Sequence, residues 1–456
     1  MTQRHRRRKQ IQPLGGLALA LVLVLLVLVF AAVNLPSDST PTSPVTLGSQ
    51  PAQTEDSTPP SSIATDPPSK ILSTATISAT GDVLMHGPVI KSGVVTNGNY
   101  DFSAIFQYFS RYVTQSDYAV ANLETTLAGS NNGYKYAGYP QFNCPDGIID
   151  GLKGTGFDRI LTANNHTYDT RSIGLNRTQQ VISQKGLPHL GTKQDADAPN
   201  YVVQEVNGIR IGMCCYTYET DGEADKKALN GIPIKAADAP LINSFDYFYL
   251  DMFYAEMEEN LADMKAEGAD AVILFIHWGD EYRTKQNATQ SAMAQKLCDM
   301  GIDVIIGGHP HVVQPVELLT STKNAEHKTV CLYSMGNCVS NQRIKEMDLK
   351  TGHTEDGLLF SVTFTKYVDG TVILSGADLL PIWVDLRTSP TTVYAIIPLD
   401  DAIADWKTQF GLTDKTLAQA QASYERTMAI VGSGMTQVNT WLQQLTEKTE
   451  AAVTPK

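Results

Sequence analysis

Residues 304–314 read VIIGGHPHVVQ, and this stretch decides the expected fold. Its β-branched beginning predicts a buried strand, which the two glycines end. His309 and His311 follow at once, two positions apart, so an extended backbone would direct both imidazoles to one face. In open α/β sheets, ligands sit beyond the carboxyl ends of the strands, which is where this pair falls. Two interpretations are open at this point: two imidazole ligands for a metal, or a polar turn with two ordinary surface histidines.

The rest of the chain alternates apolar, strand-like runs with amphipathic, helix-like segments. Helices are predicted over about 247–267 and 288–300, and each is followed by an apolar strand that ends in polar residues. This alternation predicts an α/β layered sheet, and the strand-only run at about 358–379 indicates an antiparallel or mixed second sheet. We therefore expect two sheets packed between helices in one domain, residues 74–400, followed by a C-terminal helical tail, residues 401–456.

Six consecutive predicted strands end in side chains that can bind a metal ion. In chain order these side chains belong to Asp82, Glu124, Asn165 with His166, His277, His309 with His311, and Asn337. The chain has nine histidines, and four of them occupy these points, which a random scatter would not produce. Oxygen and nitrogen ligands of this kind suit Mn, Fe, Zn or Mg rather than thiolate chemistry. The set favours the metal interpretation, with one or two divalent ions able to activate a water and clamp a phosphoryl group.

Charge and cysteine content exclude some classes of function. The net charge is −13, and because the first ten residues carry five positive charges, the remainder totals about −18. An acidic body argues against a nucleic-acid partner, for which a basic patch is the expected footprint. The six cysteines match no zinc-binding spacing. Disulfides are possible outside the cell, but the apolar surroundings of most of these cysteines favour buried free thiols.

The amino-terminal residues predict membrane attachment. Residues 14–33 form an uncharged apolar run long enough to span a bilayer, and the basic tail, residues 1–13, places the amino terminus in the cytoplasm. A cleavable signal peptide has the same order of parts but usually a shorter apolar core, so we favour an uncleaved transmembrane signal anchor. Residues 34–73 are rich in Pro, Ser and Thr and predict a disordered stalk. We expect a single-pass cell-membrane protein with the bulk of the chain extracellular.

Taken as an ordered set, six short blocks resemble the signatures of the CapA family. They read GD (81–82), NLE (122–124), NNH (164–166) with Asp169, HWG (277–279) with Glu281, GHPH (308–311) with Gln314, and SMGN (334–337). CapA (PgsA-like) proteins take part in the synthesis of bacterial poly-γ-glutamate capsules and belong to the calcineurin-like metallophosphoesterase superfamily. The resemblance extends over about residues 75–380. It implies a four-layer metallophosphoesterase-like α/β/β/α sandwich with mixed sheets, which the predicted transmembrane helix precedes.

The resemblance also implies a role for each matching residue. The metal ligands would be Asp82, Glu124, Asn165, His277, His309 and His311, with Glu124 bridging two ions. Asn165, His277 and His309 would complete one site, and Asp82 and His311 would belong to the other. His166 and Asp169 would be the catalytic residues, with His166 protonating the leaving group or steadying the transition state, a role that suits an imidazole. The residues that support the ligands or contact the substrate would be Asn122, Glu281, Gln314 and Asn337.

Two departures from the superfamily pattern affect the first metal site. The superfamily's first motif is Asp-x-His, whereas Asp82 is followed by Val83 and Leu84. The second motif usually offers an aspartate in a Gly-Asp-x-x-Asp frame, whereas only Glu124 is present here. The first site is therefore one ligand short, and we expect one ion to bind weakly or not at all.

By this resemblance we expect a membrane-anchored extracellular protein of poly-γ-glutamate (capsule polymer) biosynthesis or export. Its ligand would be an anionic polymer or a phosphorylated substrate, and its partners would be the membrane and membrane-bound capsule synthesis proteins. Two alternatives stay open. One is an exported metal-dependent phosphoesterase that acts on an unrelated phosphorylated substrate, and the other is a non-catalytic polymer-binding scaffold.

Overall fold

The computed structural model describes residues 70–95, 98–220, 226–348 and 350–453. The predicted basic tail, the apolar segment and nearly all of the predicted stalk lie outside these residues. Within the described part of the chain, no helix is both long enough and apolar enough to cross a membrane. The first strand begins at Ile71, so the last three residues assigned to the stalk belong to the folded domain instead.

The described residues form seventeen strands and nine α-helices. The strands are β1 (Ile71–Val83), β2 (Tyr118–Leu123), β3 (Arg159–Leu161), β4 (His189–Leu190), β5 (Tyr201–Val206), β6 (Ile209–Tyr218), β7 (Ala228–Leu229), β8 (Ile232–Pro233), β9 (Ser244–Phe245), β10 (Ala271–His277), β11 (Val304–Gly308), β12 (Val316–Thr320), β13 (Lys328–Leu332), β14 (Asn337–Val339), β15 (Asp356–Tyr367), β16 (Val372–Arg387) and β17 (Val393–Pro398). The helices are α1 (Gly87–Ser92), α2 (Ser103–Phe106), α3 (Ser110–Val113), α4 (Gly147–Thr155), α5 (Arg171–Gln184), α6 (Leu250–Ala266), α7 (Ala288–Asp299), α8 (Trp406–Phe410) and α9 (Asp414–Ala452). The helices predicted over about 247–267 and 288–300 are confirmed as α6 and α7.

The strands form two mixed sheets and one small hairpin. In the first sheet the order is β17-β16-β15-β1-β2-β3-β4, with β14 beside the end of β1. Strands β1 to β4 run parallel to one another, whereas β15, β16 and β17 are each antiparallel to their neighbours. In the second sheet the order is β12-β13-β11-β10-β6-β5, with β9 beside β6. Among the residues that the structure describes, β7 and β8 pair with each other as a two-stranded hairpin.

The strand-only run near residues 358–379 belongs to the first sheet, so the expectation that it forms a second sheet was wrong. It folds as β15 and β16, and β15 pairs antiparallel with β1 along most of the length of both strands. β2 covers one edge of β1, and β15 covers the other. The local sequence pattern indicates a strand but not which edge the strand will join.

Apolar side chains form a core between the sheets and a further core outside each sheet. Val120 and Ile273 belong to the core between the two sheets. Ala119 and Ala121 on β2 point the other way, because successive strand residues face opposite sides, and they pack with α2 and α4. Helices α6 and α7 cover the outer face of the second sheet. The layers therefore run helix, sheet, sheet, helix.

The C-terminal helix α9 is an integral part of this core, whereas the sequence predicted a tail separate from the domain. It spans 39 residues and lies against β12 and β16, with Val431 and Val438 in the core between the sheets. A Cβ added at Gly434 would lie 1.9 Å from the carbonyl oxygen of Val316, so the helix backbone approaches β12 closely. Arg426 forms an ion pair at 2.6 Å with the buried Asp356. Helix α9 thus covers one open side of the sandwich.

All six cysteines are buried and none forms a disulfide. This agrees with the expectation of buried free thiols. Burial raises the pKa of Cys215 to about 12 and that of Cys338 to about 12, so these thiols stay protonated at neutral pH.

Candidate metal centre

The predicted ligands converge where the carboxyl ends of the two sheets meet. Asp82 lies near the end of β1, Glu124 directly follows β2, and His277 is the last residue of β10. His309 and His311 follow β11. The structure brings together two groups of three, each with one ligand atom per residue and all atoms within 4.8 Å of one another. The groups are Glu124, His277 and His309, and Asp82, Glu124 and His311.

The turn after β11 places both of its imidazoles at this centre, but not by the extended backbone that the sequence suggested. His309 has a φ of 96° and His311 a φ of 56°, so both residues have left-handed backbone conformations. Such conformations in residues other than glycine cost about 1–3 kcal/mol each and concentrate at functional sites. A Cβ at Gly308 would lie 3.1 Å from Asp82 Oδ1, so this glycine allows the close approach of β11 to β1.

Glu124 is the residue that both groups share, and its carboxylate is fully buried. Its Oε1 lies 3.5 Å from His277 Nε2 and 3.8 Å from His311 Nε2. Neither oxygen accepts a hydrogen bond from any residue that the structure describes. Burial, together with the negative charge of Asp82, raises the pKa of the Glu124 carboxyl well above its ordinary value. A buried carboxylate without donors is costly to the fold, and a divalent cation between these ligands would satisfy it.

Burial favours the neutral state, which metal binding requires, for the imidazoles of His277 and His309. Burial lowers the pKa of His277 to about 3, and it lowers the pKa of His309 well below its ordinary value. His309 Nδ1 is buried and has no hydrogen-bond partner among the described residues. A neutral imidazole nitrogen with a free lone pair is a metal ligand. The donor set therefore fits one or two divalent cations, although it does not specify their identity.

Asn122 and Asn337 hold the ligands of the second group in place. Asn122 Nδ2 donates to Asp82 Oδ1 at 2.8 Å, and the Asn164 amide donates in turn to Asn122 Oδ1 at 3.0 Å. His311 Nδ1 lies 3.1 Å from both Asp82 Oδ2 and Asn337 Oδ1, so it carries a proton that these oxygens accept. His311 Nε2 then faces Glu124 with its lone pair. Such supporting contacts fix the orientation and tautomer of a ligating histidine.

His166 and Asp169 form a pair beside the centre. His166 Nδ1 lies 2.8 Å from Asp169 Oδ2, while His166 Nε2 lies 4.0 Å from Glu124 Oε1. Asp169 Oδ2 also accepts a hydrogen bond from the Phe142 backbone N–H at 2.7 Å, which fixes the carboxylate. Because the carboxylate holds the proton on Nδ1, Nε2 is directed towards the centre, where it can exchange a proton with a reacting group.

Two predicted supporting residues lie further from the ligands: Gln314 beside the loop before α7, and Glu281 at the rim, where its charge adds to the effect of burial on the pKa of Glu124. Gln314 does not contact the ligand groups; its Nε2 donates to the backbone carbonyls of Arg283 and Lys285 at 2.8 and 3.2 Å. These hydrogen bonds hold the loop before α7. Glu281 is exposed at the rim of the centre, where its charge contributes to raising the pKa of the half-buried Tyr282, an effect that is led by burial.

The sequence analysis missed two residues near the ligands. The ring of Tyr218, at the end of β6, lies 4.7 Å from the ring of His309. Asn230 Oδ1 accepts a hydrogen bond from Asn165 Nδ2 at 3.1 Å. The Asn-Gly dipeptide at 230–231 is a hairpin signal that could have been recognised. No local signal, however, would have placed this hairpin next to a ligand 65 residues away.

Comparison with known proteins agrees with the site. Residues 76–342 match the family model described as "Bacterial capsule synthesis protein PGA_cap". The chain belongs to this family. The match confirms the resemblance to CapA proteins that the ordered blocks indicated. It also covers every residue of the two ligand groups and ends before α9 begins.

Two relatives are named as capsule proteins of Bacillus species. The chain is 29% identical over 287 residues to "Capsule biosynthesis protein CapA" of Bacillus anthracis. This match covers 62% of this chain and 64% of that protein. It is also 29% identical over 267 residues to "PGA biosynthesis protein CapA" of Bacillus subtilis (strain 168). This second match covers 58% of this chain and 62% of that protein. The chain thus matches less than two thirds of the length of either relative.

Two more distant likenesses are to phosphoesterases. The chain is 27% identical over 236 residues to "Trifunctional nucleotide phosphoesterase protein YfkN" of Bacillus subtilis (strain 168), covering 50% of this chain and 14% of that protein. A crystal structure of a putative 5'-nucleotidase from Staphylococcus aureus matches 74% of this chain and 58% of that chain, with 13% identity and a TM-score of 0.42. At that TM-score the structural likeness carries no functional argument.

Proposed function

We propose that this PGA_cap protein acts in the synthesis or export of a capsule polymer, poly-γ-glutamate, and that it does so through a divalent metal centre. The names of the two Bacillus relatives support the capsule role. The observation that carries the metal centre is the buried Glu124 carboxylate, which lacks a hydrogen-bond partner among the described residues and is shared by two ligand groups. We further propose that residues 14–33 anchor the chain in the membrane and that the domain is extracellular.

The residues around Glu124 would divide between two ions. Glu124, Asn165, His277 and His309 would hold one ion, and Glu124, Asp82 and His311 would hold the other. Divalent cations, when bound, supply Lewis-acid stabilisation of negative charge on a reacting group.

The chain's own residues perform the positioning and the proton transfer. Asn337 and Asp82 keep the proton of His311 on Nδ1, so that Nε2 stays available as a ligand. Asp169 holds the ring of His166, whose Nε2 delivers or accepts a proton beside the shared carboxylate.

Elemental analysis of the full-length protein tests the metal centre. Because the group of Asp82, Glu124 and His311 is one ligand short, we expect one firmly bound divalent ion per chain, lost in His309→Ala, and a second, weakly bound ion that is lost in Asp82→Ala. His327→Ala is the matched control, because its imidazole contacts the backbone carbonyl of Ile302 at 3.1 Å and does not belong to either ligand group. Absence of metal from the unmutated protein, after expression in metal-supplemented medium, would refute the metal centre.

The proposed extracellular location is tested by adding protease to intact cells, which should digest the domain.

A second candidate function is hydrolysis of a phosphate ester on a substrate unrelated to the capsule. The His166–Asp169 pair beside the centre favours it, and so does the similarity to a nucleotide phosphoesterase. Under this alternative, the purified protein hydrolyses aryl phosphate esters with added Mn²⁺, and His166→Gln abolishes hydrolysis while it retains bound metal. If the protein shows no hydrolysis but restores capsule formation to a deletion strain, the capsule role is favoured.

A further inference from the structure

We propose that Gln342 is a positioning residue that fixes the ligand His311 by joining two segments of the chain on either side of its imidazole. This inference rests on the proposed metal centre and concerns the group of Asp82, Glu124 and His311. That group is one ligand short, so its affinity for an ion depends strongly on how firmly its three ligands are held. Gln342 is buried and belongs to neither ligand group.

The contacts of Gln342 complete a closed path of hydrogen bonds that begins and ends at His311. His311 Nδ1 donates to Asn337 Oδ1 at 3.1 Å, and Asn337 Nδ2 donates to Gln342 Oε1 at 2.9 Å. Gln342 Nε2 donates to the Tyr282 hydroxyl oxygen at 3.2 Å. The backbone N–H of Tyr282 donates to the carbonyl of Pro310, the residue before His311, at 2.8 Å. Gln342 is thus the link between Asn337 on one side of His311 and Tyr282 on the other.

The direction of these hydrogen bonds follows from groups that can act in only one way. Asn337 Nδ2 lies 2.9 Å from the backbone carbonyl oxygen of Thr354 and 3.2 Å from that of His311. A carbonyl oxygen can only accept, so the Asn337 amide directs its nitrogen to these carbonyls and its oxygen to His311 Nδ1. The atom of the Gln342 amide that meets this nitrogen is therefore the oxygen, which leaves Nε2 to donate to Tyr282.

Tyr282 needs such support because its backbone conformation is unfavourable. Its φ of 62° is left-handed, a conformation that a residue other than glycine keeps only when its surroundings hold it. Its hydroxyl accepts from Gln342 and donates to the Glu281 carboxylate. Its ring lies 6.1 Å from the ring of His311. The hydrogen bond from Gln342 therefore restricts the movement of a side chain that lies directly beside the ligand.

The backbone of Gln342 is held as well. Its carbonyl accepts from Thr354 Oγ1 at 2.6 Å, and its N–H donates to Ser340 Oγ at 3.2 Å. The amide therefore projects from a fixed point of the chain. Asn337 keeps the Thr354 carbonyl as a partner when the Gln342 amide is removed. We therefore expect the imidazole of His311 to be held less firmly in such a variant, but not released.

The test is a titration of Co²⁺ into the metal-stripped full-length protein, followed by calorimetry and by the visible absorption of bound Co²⁺. Gln342→Met keeps the length of the side chain and removes both hydrogen bonds of its amide. Tyr282→Phe keeps the ring and removes the hydroxyl. Gln295→Met is the matched control, because the Gln295 amide donates to Asp299 Oδ1 and to the Thr320 carbonyl, each at 3.1 Å, and belongs to neither ligand group.

The unmutated protein should bind one Co²⁺ firmly and a second one weakly, and Asp82→Ala identifies the weak site because it removes a ligand of that group. We expect Gln342→Met to weaken this site by about 10-fold, the lower end of the usual effect of losing a contact that orients a ligand, and to leave the firm site unchanged. Tyr282→Phe should weaken the same site by a smaller factor. Adding it to Gln342→Met should cause no further loss, because the path from Tyr282 to Asn337 is already broken. Gln295→Met should bind like the unmutated protein.

Three results would overturn the inference: an unchanged weak site in Gln342→Met, an equal loss at both sites, or additive losses in the double variant. Each leaves the proposed metal centre standing. Binding of a single Co²⁺ that Asp82→Ala leaves unchanged would also overturn it, because His311 would then hold no ion together with Asp82. If the unmutated protein binds no Co²⁺, the proposed metal centre fails and the inference fails with it.

Discussion

Replacement of Glu124 by Gln should make the metal-free protein more stable than wild type and the metal-bound protein less stable than wild type. In metal-stripped protein, the wild-type chain buries a carboxylate whose two oxygens accept no hydrogen bond from the described residues, next to the negative charge of Asp82. An unsatisfied buried polar group costs about 1–3 kcal/mol, and more when charged. Gln has the same shape and no charge, so the stripped Glu124→Gln protein should be more stable than the stripped wild type by about 1–3 kcal/mol.

With metal, the order should change. At a free concentration of about 100 times the dissociation constant, each ion that binds only the folded state adds about 2.7 kcal/mol to the free energy of unfolding. Wild type should gain this for each bound ion. Glu124→Gln, which lacks the shared carboxylate, should gain far less, so that with metal the wild type becomes the more stable protein.

The difference between the two stripped proteins should also depend on pH. The pKa of Glu124 in the folded state is raised well above its ordinary value of about 4.5, so the folded chain keeps a proton that the unfolded chain has released. The stability of stripped wild type relative to Glu124→Gln should therefore fall as pH rises from about 4.5 to the raised pKa, by up to about 1.4 kcal/mol per pH unit. His277 and His309, whose folded pKa values are lowered, act in the opposite direction below about pH 6.5. Both proteins contain them, so their effect largely cancels in the difference.

The assay is urea unfolding followed by tryptophan fluorescence, with chelator and with Mn²⁺, at several pH values from 5 to 8. The reasoning is refuted if stripped Glu124→Gln is no more stable than stripped wild type at neutral pH. It is refuted equally if Mn²⁺ stabilises both proteins by the same amount.

Three further predictions concern the packing of α9 and the thiols. Gly434→Ala should lower the free energy of unfolding by about 2 kcal/mol or more in the same urea assay, because the added methyl group meets the backbone of β12. Gly432 lies in open surroundings on the same helix, so Gly432→Ala should raise the free energy of unfolding by about 0.5–1 kcal/mol. Arg426→Ala should cost about 2–4 kcal/mol, because the buried Asp356 carboxylate loses its guanidinium partner and keeps only the hydrogen bond from Ser423 and the nearby His353 imidazole. Lys448→Ala, which breaks an exposed ion pair of α9, should cost less than about 1 kcal/mol. Equal costs would contradict the assigned burial. Native protein at pH 8 should not react with a thiol-specific disulfide reagent, because its cysteines are buried and burial raises their pKa, that of Cys215 to about 12. In denaturant, all six thiols should react.

The core of the fold and most of the site were predictable because their signals are local. Strands such as β10 and β11 are buried on both faces and therefore appear as continuous apolar runs. Their carboxyl ends are the usual place for ligands, so the histidines that follow them could be recognised as one site. Helices α6 and α7 were predicted to within a few residues because helix periodicity and glycine stops are also local.

The errors have one physical origin, which is contact between residues far apart in the chain. The run that forms β15 has the same local pattern whichever sheet it joins, and its partner β1 lies almost 300 residues earlier. Helix α9 has the period of any amphipathic helix, and only its packing between β12 and β16 distinguishes a core element from an exposed tail. The left-handed conformations of His309 and His311 are unfavourable locally and are held by the strands and ligands around them.

The sequence by itself therefore determined the family, the kinds of ligand and the strand ends that carry them, because residue type and hydrophobic period are properties of short segments. Only the tertiary structure decided that Glu124 is shared by two ligand groups, that Gln314 supports the loop before α7, and that Asn230 reaches Asn165. These are distances between side chains brought together by the packing of two sheets, and no short segment contains the information that sets them.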